Sequence, residues 1–205
     1  MPKYTPKDAY FEKAKLESFV ARSIYKLEEI DAKYGVLDKG MRVVDLGCSP
    51  GSWLQYAAKV VGPKGAIIGY DIVPPRVELG QHIKTIEADV YTLTPERVRE
   101  DLAQMFGGTI EPDARFDAFL SDMAPKTTGV HDTDQARSEA MVEAALALAA
   151  QLLRTGGTFV AKVFQGRGTD QLLNTVKQTW RDTRVLRPKA TREGSREMFI
   201  ITRAP

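Results

Sequence analysis

The sequence contains few of the residues that bind metals or form disulfides. Its single cysteine, Cys48, excludes an intramolecular disulfide and a cysteine-based zinc site. The only histidines, His82 and His131, are too few for a histidine-rich metal centre. We therefore expect a protein without a bound metal.

A long apolar run is also missing. The most apolar stretch, residues 140–153, is interrupted by Glu143 and Gln151 and is shorter than the roughly 18 residues that a membrane span needs. Residues 1–10 lack the apolar core of a secretory signal. With 43% hydrophobic and 27% charged residues over 205 positions, the composition is that of a globular protein. We expect one domain over residues 1–205, monomeric, cytoplasmic and without membrane contact.

Charge is unevenly distributed, although the formal net charge is only +2. Residues 1–42 hold 9 lysines and arginines against 7 acidic residues, and residues 43–153 hold 9 against 16. Residues 154–205 hold 11 against 4. Clustered positive charge is typical of a surface that binds a polyanion, although it also occurs on solvated surfaces without a partner. The basic ends therefore make nucleic-acid binding a hypothesis.

Hydrophobic periodicity predicts alternating strands and helices. A first helix ends before Gly35, which places an N-terminal helical extension within residues 1–40. Further helices are predicted at 52–61, 95–106, 134–153 and 169–180, and strands at 41–46, 66–70, 82–87, 116–121, 158–164, 184–187 and 198–202. The last two strands have no helix between them, so they form an antiparallel pair. Residues 126–131 are predicted to form a mobile loop. The pattern predicts an α/β, Rossmann-like, seven-stranded, mostly parallel sheet with one antiparallel strand and helices on both faces.

A glycine-containing loop follows the first predicted strand. Gly47 and Gly51 have a spacing that matches neither a dinucleotide fingerprint nor a phosphate-binding loop. The loop thus favours a nucleoside ligand without phosphates, and S-adenosylmethionine fits this description. Asp71 ends the second strand, where a carboxylate can bind ribose hydroxyls.

Other polar residues fall at the same predicted edge of the sheet. Asp122 follows one strand, and Lys162 interrupts an apolar strand. A lysine in such a strand is costly unless it is paired or functional. Lys162 is therefore the strongest catalytic candidate that the residues themselves provide.

Six segments give the chain a resemblance to the FtsJ-type, RrmJ-like ribosomal RNA 2′-O-ribose methyltransferases over nearly its whole length. They are SIYKLEEI (23–30), VVDLGCSPGSW (43–53), YDI (70–72), LSDMAP (120–125), AKVF (161–164) and SREMF (195–199). The family loop usually reads Ala-Ala-Pro-Gly-Gly-Trp, and here Cys48, Ser49 and Ser52 replace small residues with small residues.

The resemblance implies an S-adenosylmethionine-dependent methyltransferase fold and 2′-O-methylation of a uridine in large-subunit ribosomal RNA, with the RNA bound within the large ribosomal subunit as the expected partner. It maps a catalytic tetrad onto Lys26, Asp122, Lys162 and Glu197, with Lys162 as proton acceptor. The implied cofactor neighbours are Gly47, Pro50, Gly51, Trp53, Asp71, Asp89 and Asp122. A lysine acts as a base only in its neutral form, which a second ammonium nearby favours. Lys26 beside Lys162 is expected to have that effect.

Alternatives remain for several of these assignments. Trp53 also fits a core aromatic residue, Lys26 a solvated lysine, and Glu197 a simple partner of Arg192 or Arg196. The substrate could be transfer RNA or another RNA, and a noncatalytic RNA-binding or ribosome-assembly protein could share the fold. For RNA binding, we expect phosphate contacts from Arg22, Arg192 and Arg196, with the loop near Lys126 contributing.

Overall fold

The computed structural model describes residues 9–75, 77–108 and 113–205, so residues 1–8 of the expected N-terminal extension lie outside the described part. The helices are α1 (Ala9–Leu16), α2 (Ile24–Tyr34), α3 (Ser52–Val61), α4 (Pro95–Met105), α5 (His131–Leu152) and α6 (Thr169–Thr179). The strands are β1 (Arg42–Leu46), β2 (Ala66–Asp71), β3 (Ile83–Glu87), β4 (Phe116–Ser121), β5 (Leu153–Phe164), β6 (Arg181–Leu186) and β7 (Glu197–Arg203).

All seven strands form one sheet in the order β3-β2-β1-β4-β5-β7-β6. Strands β3, β2, β1, β4 and β5 pair in parallel, whereas β7 is antiparallel to both β5 and β6. The predicted seven-stranded sheet with one antiparallel strand is confirmed. Parallel strands place their carboxyl ends at one edge, and the antiparallel β7 brings its first residue, Glu197, to that same edge, opposite Phe164.

Helices cover both faces of the sheet, because its strands carry apolar side chains on both faces. Val43 and Val44 are consecutive and fully buried, yet they belong to different apolar clusters. Helices α4, α5 and α6 pack on one face, and α2 and α3 pack on the other. Residues buried on both faces are the pattern expected of a parallel sheet inside an α/β protein.

Helix boundaries follow the predicted signals in several places. Helix α3 spans the predicted residues, and Gly35 ends α2 in a left-handed conformation with its amide bonded to the Asp31 carbonyl. Thr94 caps α4 through its hydroxyl, which accepts a hydrogen bond from the Arg97 amide. No helix in the described ranges is long and apolar enough to cross a membrane.

The structure differs from the prediction at the starts of α5, β5 and β6, the last beginning at Arg181 and not at residue 184, and in one additional helix. Helix α5 begins at His131, three residues early, so the preceding loop is shorter than predicted. Strand β5 begins at Leu153 and includes Gly156 and Gly157, which were expected to lie between helix and strand. Helix α1 was not predicted, because its buried contacts are few and involve Ala14 and the aromatic ring of Tyr10 against Tyr25.

Candidate active site

The loop after β1 folds tightly against the loop after β2. Gly51 precedes α3 with φ +113°, a conformation that L-residues rarely adopt, and a Cβ at this position would collide with Val77 and approach Pro75. The Ser49–Pro50 peptide bond is cis. The glycine thus allows the segment after β2 to lie directly against the first turn of α3.

A cavity of about 520 Å³ opens at the carboxyl ends of β1, β2 and β4, and we call it the β1–β4 cavity. Its described lining is Leu46, Gly47, Ser49, Tyr70, Asp71, Ile72, Val73, Ala88, Asp89, Val90, Tyr91, Asp122, Met123, Ala124 and Met141. Its volume lies in the range typical of small-molecule sites. The lining combines apolar side chains with three carboxylates and, within the described residues, no lysine or arginine. This composition suits a cationic nucleoside and disfavours phosphates.

Backbone amides hold two of the cavity carboxylates in place. Asp71 accepts hydrogen bonds from the Ser49 and Val73 amides, both at 2.9 Å. Asp89 Oδ1 accepts one from the Tyr91 amide at 3.0 Å. A carboxylate has about four acceptor positions, so both groups retain capacity for ribose hydroxyl or amino groups of a ligand.

A second depression, the α2–β7 groove, lies on the other side of the sheet edge and has a volume of about 450 Å³. Its described lining is Arg22, Ser23, Lys26, Arg192, Glu193, Ser195 and Glu197. Burial lowers the pKa of Arg22, and the nearby Arg192 guanidinium lowers it further, whereas Glu197 acts in the opposite direction. Two neighbouring guanidinium groups produce a positive potential that attracts an anion such as phosphate.

The four tetrad side chains gather between these two depressions. Lys162 Nζ lies 3.0 Å from Asp122 Oδ1 and donates a hydrogen bond of 2.7 Å to the Asp122 carbonyl oxygen. Lys162 Nζ lies 4.0 Å from Glu197 Oε1, and Lys26 Nζ donates to Glu197 Oε2 at 2.6 Å. The lysine side chains are 7% and 9% exposed. A continuous chain of charges therefore runs from Asp122 in the cavity to Lys26 in the groove.

Glu197 is the carboxylate that links the two lysines. Burial opposes its ionisation, but the ammonium groups of Lys26 and Lys162 outweigh that effect, so the pKa of Glu197 lies below its ordinary value. Glu197 is therefore an anion at neutral pH. The ion pairs seen for Glu197 among the described residues are with Lys26 and Lys162, so Glu197 is more than a simple partner of a neighbouring arginine.

A model of the FtsJ-like methyltransferase family matches residues 19–204. The chain belongs to the FtsJ-like methyltransferase family. Relatives named ribosomal RNA large subunit methyltransferase E include the Bdellovibrio bacteriovorus protein, 43% identical over 97% of this chain and 96% of its own. The Myxococcus xanthus protein of that name is 42% identical over 97% of this chain and 89% of its own. A solved structure from Plasmodium falciparum, described as a ribosomal RNA methyltransferase, is 25% identical and has a TM-score of 0.75 over 91% of this chain and 98% of its own.

Within this FtsJ-like fold, Trp53 of α3 contacts the start of α2, on the face of the sheet opposite the β1–β4 cavity. Its buried ring packs 5.7 Å from the Phe199 ring, and its Nε1 donates to the Ser23 carbonyl oxygen at 3.0 Å. The hydroxyls of Ser23 and Ser52 also share a hydrogen bond of 2.7 Å. These bonds fix the start of α2, which carries Lys26. Pro50, Gly51 and Trp53 are absent from the described cavity lining, so their assignment to the cofactor stays a prediction.

Asp45 is a buried carboxyl group near the cavity that the sequence analysis did not single out. It is fully buried on β1, one residue before the cavity wall, and neither carboxyl oxygen has a hydrogen-bond partner among the described residues. Burial raises the pKa of Asp45 well above its ordinary value, and the Asp122 and Asp71 carboxylates raise it further. The argument applied to Lys162, a charge within an apolar strand, would have identified Asp45 as well.

Proposed function

We propose that the protein methylates the 2′-hydroxyl of a uridine in large-subunit ribosomal RNA, with S-adenosylmethionine as donor and Lys162 as general base. The observation that carries this proposal is the chain of charged groups between the β1–β4 cavity and the α2–β7 groove. A methyl donor in the cavity and an RNA strand in the groove would meet at Asp122 and Lys162. Relatives at about 40% identity carry the name of a large-subunit ribosomal RNA methyltransferase, which supports this substrate.

The residues of the cavity fit S-adenosylmethionine. Asp71 and Asp89 offer acceptors for the ribose and base, and Ile72, Val90 and Met123 offer apolar surface. Asp122 places negative charge where a cationic sulfonium is stabilised. When bound, this donor supplies an electrophilic methyl group.

Lys162 is placed to remove the proton of an incoming ribose hydroxyl. In the proposed reaction the hydroxyl proton would move to Lys162 Nζ, and the bound donor would supply the methyl group to the ribose oxygen. The Glu197 carboxylate lies 2.6 Å from Lys26 Nζ and 4.0 Å from Lys162 Nζ, so Lys26 is its main ion-pair partner. The nearest carboxylate to Lys162 is then Asp122, with Oδ1 at 3.0 Å. A cation bound near Asp122 would favour the neutral amine of Lys162.

The RNA would enter along the α2–β7 groove. Its guanidinium groups, Arg22 and Arg192, are suited to the phosphates on either side of the reacting ribose, and Arg196 and Lys126 remain expected further contacts. Recognition would depend on backbone charge and local shape. The proposed substrate places the reaction in the cytoplasm, and the monomeric state stays a prediction.

A salt titration tests this binding mode. Replacing Arg192 by glutamine removes one phosphate contact, so the slope of log affinity against log salt should decrease by about 0.7–0.9. Arg181→Gln is the matched control, because Arg181 lies opposite Arg203 in the β6–β7 register, near the other edge of the sheet. An equal change in both variants, or none in Arg192→Gln, would contradict the groove as the RNA site.

The substrate is tested by incubation with methyl-labelled S-adenosylmethionine and one of three acceptors: deproteinised ribosomal RNA, transfer RNA or intact large subunits. We expect label in ribosomal RNA, free or assembled. Label in transfer RNA alone would refute the ribosomal substrate. Binding of RNA and donor without any transfer would favour the noncatalytic assembly protein.

A further inference from the structure

We infer that Gln135 and Ser138 on α5 are positioning residues that hold the end of β5 and so set the position of Lys162. This inference rests on the proposed function. Neither residue lines the β1–β4 cavity or the α2–β7 groove as described. Both are buried, and both bind the backbone just beyond Lys162.

At Lys162, strand β5 no longer has the parallel strand β4 beside it. The β4–β5 ladder stops at Ser121 and Ala161, because the chain leaves the sheet at Asp122. The Phe164 amide instead donates to the Ser138 hydroxyl at 3.1 Å. Ser138 thus replaces a strand partner for the segment that contains Lys162.

Gln135 holds the next segment of the same chain. Its Oε1 accepts a hydrogen bond from the Arg167 amide at 3.0 Å, and its Nε2 donates to Glu139 Oε1 at 2.8 Å. The Gln135 carboxamide occupies the space that a Cβ on Gly166 would need. The loop after β5 is therefore built closely around this side chain.

The same helical turn also holds the loop after β4. Asp134 accepts hydrogen bonds from the Thr128 amide and hydroxyl, at 2.7 and 2.8 Å, and from the Gly129 amide at 3.1 Å. Adjacent residues of α5 thereby fix the two segments that follow Asp122 and Lys162. The separation of these groups depends on that turn.

Single-turnover kinetics with purified variants tests the inference. Ser138→Ala and Gln135→Leu should each lower the rate of methyl transfer roughly 10- to 100-fold, because small displacements of reacting groups have effects of this size. Dissociation constants for S-adenosylmethionine and RNA should stay within about twofold, since neither residue contacts a binding surface. The matched control is Gln151→Leu, an exposed glutamine at the other end of α5, which should keep the normal rate.

Combination with Lys162→Ala separates this inference from the proposed function. If both residues act through Lys162, adding Ser138→Ala to Lys162→Ala should reduce the residual rate by less than about twofold. A fully additive loss, weakened ligand binding, or lower stability with an unchanged rate would overturn the positioning role. Should Lys162→Ala alone react at the normal rate, the general-base assignment fails instead. If Ser138→Ala does not fold, Gln135→Leu provides the same comparisons.

Discussion

Replacing Glu197 by glutamine tests the charge arrangement directly. Its carboxylate lies 2.6 Å from Lys26 Nζ and 4.0 Å from Lys162 Nζ, and both ammonium groups are nearly buried. Removing one member of a buried ion pair costs about 3–5 kcal/mol. Because the Glu197 side chain is 22% exposed and glutamine keeps an acceptor, we expect about 2–3 kcal/mol. For a protein of this size that corresponds to a fall in Tm of roughly 5–10 °C.

The effect should depend on pH with a defined sign. The folded-state pKa of Glu197 lies below its ordinary value of 4.5, so its stabilising contribution is complete above pH 4.5 and is lost as the pH falls through the lowered value. Urea unfolding at pH 7 and at about pH 3.5 should show the difference between wild type and Glu197→Gln shrinking in acid. The control Glu193→Gln, an exposed residue of the same groove, should change stability by less than about 0.5 kcal/mol. A difference that is absent at pH 7, or equal at both pH values, would refute the reasoning.

Two further replacements test the cavity. In the ligand-free protein, Asp45→Asn should become more stable relative to wild type as the pH rises above about 4. The reason is that the raised folded-state pKa of Asp45 causes wild type to lose stability with increasing pH until that pKa is passed. Urea unfolding at pH 5 and pH 8 measures this change, and a stability difference that is the same at both pH values would contradict it. Gly51→Ala should lower stability by about 1–3 kcal/mol through backbone strain and collision with Val77, measured by thermal unfolding. Adding Val77→Ala should recover only part of that loss, and full recovery would show that strain at φ +113° contributes nothing.

Much of the fold could be predicted because its signals are local. Apolar runs identified all seven strands, and Gly35 ends α2 in the left-handed conformation that glycine favours. The start of α5 could not be predicted, because Asp134 resembles a helix cap. In the structure Asp134 already belongs to the helix, and its carboxylate accepts hydrogen bonds from the preceding loop. Strand β5 includes two glycines that resemble a turn. They lie in the irregular stretch between the Leu153 and Thr158 pairings with β4, and their backbone groups bond to Ala204 after β7, which local sequence does not indicate.

The candidate site could be predicted where a charged residue lies among apolar ones. Lys162 is such a residue, since it lies in an apolar strand. The bridging role of Glu197 was not predictable from local pattern, because it depends on an antiparallel strand that brings residue 197 next to residue 164. The contacts of Ser138 and Gln135 likewise arise from tertiary packing between α5 and the end of β5.

The most direct test of the account is mass-spectrometric mapping of methyl groups on large-subunit ribosomal RNA treated with wild type or Lys162→Ala protein and S-adenosylmethionine. We predict one ribose 2′-O-methyluridine with wild type and a loss of at least about 100-fold with Lys162→Ala, while the donor binds both proteins equally. Methylation on a base, or an unchanged yield of the ribose product from Lys162→Ala, would contradict the central claim.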